Sequence, residues 1–284
     1  MSKKRYIGKF YQDRVVFALS TGITWTSQNW VINFIIYVGF MKVSVITHGC
    51  KLNQYESFSI ANKLLEKKCI ITENLEEADV VIFNSCTVTD KADKKAFKLI
   101  RNVGRLKKAK GNVLFIVTGC LAQTDAEKIE NFECVDLVVG NNAKSKIPEI
   151  LERYLKFGIL EGVEESKDIF YRFDFDTKGF ENRTRAFLKI QDGCNRKCSF
   201  CKVPLARGKS ISLEFEEVIR RFKTLIELGY KEVVITGVNI TSYNSNGYKL
   251  KDILKEMIKI KGEFRVRLSS IMPDEFDYEI LEFM

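Results

Sequence analysis

Three β-branched runs in this chain each end on a cysteine: "VSVITHGC" on Cys50, "ADVVIFNSC" on Cys86 and "NVLFIVTGC" on Cys120. Each leads into a segment with helical character, at Gln54–Lys67, at Lys91–Lys107 and over a shorter stretch from Thr124. A fourth run, "VDLVVGN", precedes the helical "AKSKIPEILERYLKF". Strands that alternate with helices pair in parallel, so the expected fold is α/β, a mostly parallel three-layer sheet with helices on both faces. The strand ends of a parallel sheet share one edge, where such folds hold their ligands, so three cysteines distant in sequence are expected to meet there. The alternative is three buried thiols acting as small hydrophobes; their repetition at one structural point weighs against it. The small or polar residue before each sulfur, in "HGC", "NSC" and "TGC", is expected to leave room for a bulky group.

A second unit opens with "TRAFLKIQDGCNRKC". Its expected elements are a strand ending near Gln191, a helix at Leu213–Leu228, a strand at "KEVVITG", a helix at Tyr248–Lys261 and a strand at "FRVRLSS". Pro273–Met284 reads as the start of another helix. Successive βα units without a reversal of order are the pattern of a β/α barrel, yet a full barrel takes about 250 residues and roughly 100 remain after Arg185. About three units are present and the last strand would be an edge, so the chain is expected to be a fragment. The expected organisation is an N-terminal extension over 1–40, a first domain over 41–156, a linker over 157–182 that mixes Gly with acidic residues, and a partial barrel over 183–284.

Residues 1–40 differ from the rest. Their apolar run, Val31 to Phe40, is interrupted by Asn33 and is far shorter than the about 20 residues of a membrane span. No clean small-residue cleavage site precedes Met41, and "MKVSVITHGC" is a natural first core strand. Met41 is therefore expected to be the true start. Eight cysteines in a Lys- and Glu-rich chain with no signal peptide point to the cytoplasm, as reduced thiols or metal ligands. The single histidine, His48, excludes most histidine-based zinc sites and most catalytic triads. No catalytic side chain is assigned. Lys and Arg number 46 against 37 Asp and Glu, a net charge of +9 that favours a polyanionic partner such as nucleic acid.

The sharpest local pattern is "CNRKCSFC", Cys194, Cys198 and Cys201 at C-x3-C-x2-C, with Pro204 and the basic "ARGKS" behind it. A zinc site needs a fourth ligand, and neither Cys nor His occurs after Cys201. A redox dithiol normally opens a helix in a smaller fold. Three thiolates on a four-iron cubane leave one iron without a protein ligand, open to a small molecule with an amine and a carboxylate.

That spacing, with an aromatic before the last cysteine at the top of a first barrel strand, resembles the radical S-adenosylmethionine enzymes. "GCKLNQYES", "NSCTVTDKAD", "TGCLAQ", "GCNRKCSFCKVPLARGKSIS", "ITGVNITSYN" and "RLSSIMPDEF" resemble their methylthiotransferases from about Val43 onward. "GCKLNQYES" is similar to the branch acting on N6-threonylcarbamoyladenosine beside the tRNA anticodon; the isopentenyladenosine branch and the branch that modifies a ribosomal-protein aspartate are the alternatives.

The resemblance implies a radical-SAM β/α barrel and two 4Fe-4S clusters. One, on Cys194, Cys198 and Cys201, cleaves S-adenosylmethionine to a radical that removes hydrogen from the adenine. The other, on Cys50, Cys86 and Cys120, presents the sulfur. The partners implied are the tRNA anticodon loop and a low-potential electron donor such as flavodoxin or ferredoxin, with no membrane. Phe200 beside the adenine of the cofactor, and Gly237, Asn239, Ser269 and Ser270 at strand ends, are further cofactor-binding candidates; turn or packing roles are the alternatives. Relatives commonly have "SSIEP" where this chain has "SSIMP", so Met272 replaces a glutamate.

Cys69 and Cys134 sit beside apolar runs and are expected in the core. Between Lys91 and Lys110 nine basic residues accompany one acid, Asp93, and Ala96, Leu99, Val103 and Leu106 form an apolar stripe. This amphipathic helix presents either a solvated charged face or a phosphate-binding one. From another class of function comes a non-catalytic metal-binding RNA module.

Overall fold

The computed structural model describes residues 6–7, 41–160, 172–175 and 184–283. Beyond β1 (Tyr6–Ile7), which pairs antiparallel with β7 (Ile159–Leu160), the expected 1–40 extension lies outside the described residues.

The first sheet is built from β2 (Lys42–Thr47), β3 (Ile70–Ile71), β4 (Val80–Ser85), β5 (Leu114–Gly119) and β6 (Leu137–Val139). Its order is β3-β2-β4-β5-β6 and every pair is parallel, as the strand–helix alternation requires. The central strands "VVIFNS" and "LFIVTG" are buried at every residue, so both faces are covered. The helices are α1 (Lys51–Glu66), α2 (Asp90–Lys110), the short α3 (Cys120–Thr124) and α4 (Ala126–Glu130), and α5 (Ile147–Phe157). The edge strand β3 was not expected; two residues are too short to show alternation.

The second unit holds β8 (Arg185–Lys189), β9 (Gln191–Asp192), α6 (Val203–Arg207), β10 (Ile211–Ser212), α7 (Phe215–Glu227), β11 (Glu232–Thr236), β12 (Asn244–Ser245), β13 (Tyr248–Lys249), α8 (Leu250–Met257) and β14 (Arg265–Leu268). β8, β11 and β14 pair in parallel in the order of the chain, the opening of a β/α barrel, with β14 at an edge as expected. One hydrophobic cluster runs through both units, joining Val43, Tyr55 and Ile60 to Leu188, Phe222 and Ile253. A second fills the other face of the first sheet with Val81, Phe83, Ile100 and Phe115.

Several local expectations change. The helix expected over Tyr248–Lys261 is confined to Leu250–Met257, because Tyr248 and Lys249 pair with Asn244 and Ser245 in a hairpin. Asn246 (φ +51°) and Gly247 (φ +92°) form its turn, the left-handed geometry that Asn-Gly adopts readily. Pro273–Met284 does not start an α-helix; Pro273–Glu275 and Tyr278–Glu282 are 3-10 turns. Their acidic side chains bind Arg196 and Lys251, and only Ile280 is buried, so no apolar helical face forms. The buried stripe of α2 is Ala96, Ile100, Val103 and Gly104, with Leu99 and Leu106 half-buried, so the helix is rotated from the expected face. Gly104 is required there, since a Cβ would lie 2.9 Å from the Cys134 sulfur. Cys69 is a core residue, and Cys134 is half-buried with its sulfur 3.7 Å from the Ile100 carbonyl oxygen.

Residues 161–171 and 176–182 of the expected linker, with residue 183 of the expected barrel, lie outside the described residues. Residues 172–175 are packed rather than solvated: Phe173 and Phe175 are buried, and the Phe175 carbonyl accepts from Tyr55 Oη at 2.5 Å. Among the described residues no helix is long and apolar enough to cross a membrane.

Candidate metal centre

The register of the first sheet carries the three upstream cysteines to one edge. Ser85 of β4 lies opposite Gly119 of β5, so Cys86 and Cys120 leave adjacent strands side by side. Thr47 of β2 lies opposite Asn84, and the His48 amide donates to the Asn84 carbonyl at 2.9 Å, which brings the turn into Cys50 alongside. Two asparagines stitch the strand ends to α1. Asn53 Nδ2 donates to the His48 and Ser85 carbonyls, each at 2.9 Å, and Asn84 Nδ2 donates to the Asn53 carbonyl and Ser57 Oγ, each at 2.9 Å. Cys50 is exposed, whereas Cys86 and Cys120 are buried. Burial pushes the Cys86 thiol up; a backbone hydrogen bond at Val88 opposes this, and the neighbouring Cys120 and Cys50 reinforce it.

The glycines before Cys50 and Cys120 answer to the backbone. Gly49 (φ +131°) would place a Cβ 2.7 Å from Asn53 Nδ2 and 3.0 Å from Cys86 Cβ. Gly119 (φ +100°) would place one 2.3 Å from the Ser85 carbonyl oxygen. The expected room for a bulky group is taken up by the protein's own close approach at these points.

The downstream cysteines sit in the loop of the β9–β10 hairpin, at the C-terminal end of β8. The loop is held without its thiols: the Cys194 amide donates to the Gly208 carbonyl at 3.0 Å and the Ser210 amide to Asn195 Oδ1 at 3.0 Å. Gln191 Nε2 donates to the Gly193 carbonyl at 2.7 Å and to Ser210 Oγ at 2.9 Å. Gly193 (φ +71°) could not carry a side chain, as its Cβ would lie 2.0 Å from the Lys209 carbonyl oxygen. The Cys194 sulfur accepts from the Arg196 amide at 3.4 Å, and Cys194, Cys198 and Cys201 are all partly exposed. The Arg196 guanidinium is clamped by Asp274 and Glu275.

The other sequence candidates surround this loop. Phe200 is 87% exposed. Gly237 packs under the hairpin, where a Cβ would meet Gln191 Oε1 at 2.9 Å. Asn239 is buried; its amide donates to Gln191 Oε1 at 2.9 Å and its Nδ2 to Glu275 Oε2 at 2.6 Å. Ser269 Oγ donates to the Ile235 carbonyl at 2.9 Å, and Ser270 (φ +45°) accepts from the Ile240 amide at 3.2 Å. Met272 brings no charge, but Glu275, three residues on, sets a carboxylate between Asn239 and Arg196.

Helix α6, directly behind the loop, docks on the upstream cysteines. Asn141 Nδ2 donates to the Ala206 carbonyl at 2.7 Å and to the Cys120 sulfur at 3.7 Å. Arg207 Nη2 donates to Asn53 Oδ1 at 2.6 Å, and the Cys50 sulfur lies 4.0 Å from the same oxygen. Lys202 also reaches Asp93 of α2 at 3.1 Å. Beneath these contacts Glu56 pairs with Lys144 (2.7 Å), Lys189 (2.8 Å) and Arg207 (2.9 Å), and Asp192 with Lys189 (2.8 Å), Arg207 (3.2 Å) and Arg172 (3.3 Å). Burial works to raise Glu56, but Arg207, Lys144 and Lys189 outweigh it and hold the carboxyl well below its usual range. Asp192 is lowered against its burial by Lys189, Arg207 and Arg172. Asn53, Glu56, Asn141, Lys144 and Arg207 carried no assignment from sequence, although "GCKLNQYES" and "ARGKS" contain three of them.

Among the described residues no three His, Cys, Asp or Glu side chains stand close enough to hold one metal ion. A cubane takes each thiolate at a different iron, so its ligands stand farther apart than those of one zinc. The upstream edge also holds polar atoms with no partner among the described residues: His48 Nδ1, Asn84 Oδ1, Thr87 Oγ1 and Asn141 Oδ1. Two sets of three sulfurs, polar surroundings and basic side chains behind one of them suit clusters better than single ions.

Residues 42–140 match the family described as uncharacterized protein family UPF0004, and residues 188–284 match the radical SAM superfamily. The chain is 37% identical over 247 residues to the threonylcarbamoyladenosine tRNA methylthiotransferase MtaB of Aquifex aeolicus, covering 85% of this chain and 59% of that protein. It is 35% identical over 244 residues to the protein of that name from Bacillus subtilis, covering 84% and 53%. With the tRNA-2-methylthio-N(6)-dimethylallyladenosine synthase of Cereibacter sphaeroides it shares 32% over 247 residues, covering 85% and 55%. The chain thus spans little more than half the length of these curated relatives. The solved structure of a radical S-adenosylmethionine methyltransferase, TsrM from Kitasatospora setae, superposes with a TM-score of 0.50 at 12% identity, over 77% of this chain and 51% of that one, a likeness of fold alone. Residues 42–140 thus carry the UPF0004 domain and residues 188–284 a radical SAM domain, and across 85% of its length the chain is similar to curated tRNA methylthiotransferases.

Proposed function

We propose that this chain acts in tRNA modification, as a radical enzyme that places a 2-methylthio group on N6-threonylcarbamoyladenosine next to the anticodon. The observation that carries the reading is the pair of cysteine triads at the C-terminal edges of two adjoining parallel sheets, tied together by α6. Cys194, Cys198 and Cys201 would hold one 4Fe-4S cluster and Cys50, Cys86 and Cys120 a second. The bound clusters and S-adenosylmethionine supply the radical and the sulfur. The protein's part is to hold the hairpin loop in shape through Gln191 and Gly193, and to present Phe200, Gly237, Asn239, Ser269 and Ser270 beside it. In this reading the domains run 41–156 and 183–284 with 157–182 between them, the electron donor is a low-potential flavodoxin or ferredoxin, and the enzyme works in the cytoplasm.

The relatives at 35–37% favour threonylcarbamoyladenosine as the substrate; the 32% relatives keep dimethylallyladenosine as a second reading. The test is anaerobic reconstitution with iron and sulfide, followed by incubation with tRNA carrying either base and mass spectrometry of the nucleosides. Methylthiolation of the threonylcarbamoyl base is expected. Product from the dimethylallyl base alone would select the second reading, and cofactor cleavage with no nucleoside product would overturn a tRNA substrate for this chain.

The outer face of α2 supports an RNA partner. Lys94, Lys98, Arg101 and Arg105 are exposed at helical spacing on the side away from Ala96, Ile100 and Val103. Changing all four to alanine is expected to weaken tRNA binding and to flatten the slope of log affinity against log salt by roughly 3, at about 0.7–0.9 per phosphate contact. An unchanged slope, read by filter binding across salt concentrations, would remove α2 from the interface.

A further inference from the structure

The buried network between the two units carries more positive charge than its carboxylates balance. Glu56 and Asp192 face Lys144, Lys189, Arg172 and Arg207, and each of the six is at most 9% exposed. Among the described residues two cations are therefore in surplus. A buried cation without a counter-charge is strongly unfavourable, so a surplus of this kind calls for anions against it.

The contacts say where those anions lie. Asn53 Oδ1 stands between Arg207 Nη2 (2.6 Å) and the Cys50 sulfur (4.0 Å). Asn141 Nδ2 stands between the carbonyl of Ala206, Arg207's neighbour, at 2.7 Å and the Cys120 sulfur at 3.7 Å. The Cys120 sulfur also favours the charged forms of Arg207 and Lys144 against their burial. Arg207 thus lies one side chain from the Cys50 sulfur, and Lys144 lies beside Arg207 on a shared oxygen, Glu56 Oε2, at 2.7 Å from Lys144 Nζ and 3.1 Å from Arg207 Nη2. Three thiolates on a four-iron cluster are anionic, and more so after the cluster takes up one electron.

We propose that Arg207 is a positioning residue for the upstream triad: with Lys144 it supplies the fixed positive charge that balances the cluster on Cys50, Cys86 and Cys120 and raises its reduction potential. This rests on the reading that the triad holds a cluster. Arg207 comes from α6, directly behind the downstream cysteine loop. The electrostatics of one centre are therefore supplied by the segment that shapes the other, and undocking α6 would change the potential of a cluster it does not ligate.

The test uses the full chain with Cys194, Cys198 and Cys201 changed to alanine, so that only the upstream cluster is loaded. Its midpoint potential is read by electron paramagnetic resonance during a redox titration, beside iron content and circular dichroism. Arg207→Gln and Lys144→Met are each expected to lower the ratio of reduced to oxidised cluster about tenfold at a fixed potential, a shift of 59 mV for one electron. Arg207→Lys should return most of it. Iron bound with the potential unmoved in Lys144→Met, and in whichever Arg207 variant folds, would overturn the proposal and leave Arg207 as a structural ion pair. No iron in the Arg207-intact chain would instead refute the cluster reading beneath it.

Discussion

Alanine in place of Cys194, Cys198 and Cys201 together is expected to halve the iron of the reconstituted chain, from about eight to about four atoms, and to abolish release of 5′-deoxyadenosine. The loss should be of ligation and not of fold. The hairpin loop is closed by the Cys194 amide on Gly208, the Ser210 amide on Asn195 and the Gln191 side chain, none of which uses a thiol. The clamp of Asp274 and Glu275 on the Arg196 guanidinium does not use a thiol either. The complementary triple change at Cys50, Cys86 and Cys120 should also halve the iron while leaving 5′-deoxyadenosine release in place. Iron content with product analysis by chromatography separates the two. Loss of all iron from either variant would contradict two independent sites, and zinc in place of iron would favour a metal-binding RNA module.

Removing the Glu56 carboxylate should produce the largest fall in stability. Glu56 is 2% exposed and pairs with three buried cations, Lys144, Lys189 and Arg207. Glu56→Ala leaves Asp192 to face Lys189 and Arg207 and takes from Lys144 its carboxylate partner, a change of the kind that costs about 3–5 kcal/mol. That is a large part of the about 5–15 kcal/mol that stabilises an ordinary domain. The folded state holds both Glu56 and Asp192 below their unfolded values. Their contribution is therefore fully present above roughly pH 4, the unfolded carboxylate range, and is lost as pH falls toward the depressed folded values. The gap in urea midpoint between parent and variant should be widest near neutrality and should narrow below about pH 4. An equal gap at every pH would mean that lost packing, and not the charge, accounts for the effect.

Local pattern was enough for much of this protein. β-branched runs broken by helical segments specify a parallel sheet, because a strand cannot return parallel to itself without a crossover. That alone brings Cys50, Cys86 and Cys120 to one edge, and the spacing of Cys194, Cys198 and Cys201 marks the second loop. Elements without a period of their own were not legible: the two-residue β3, the Asn244–Lys249 hairpin, and the turns after Pro273, whose acids are drawn to Arg196 and Lys251.

Tertiary structure decided how the two halves meet. Arg207 finds Glu56 across 151 residues and Asn53 across 154, and Asn141 finds Ala206 across 65. Secondary structure leaves a periodic trace because each residue's neighbours are set by its own backbone. A buried ion pair leaves none, since its partners are chosen by the packing of distant segments and by the need to balance charge where water is excluded.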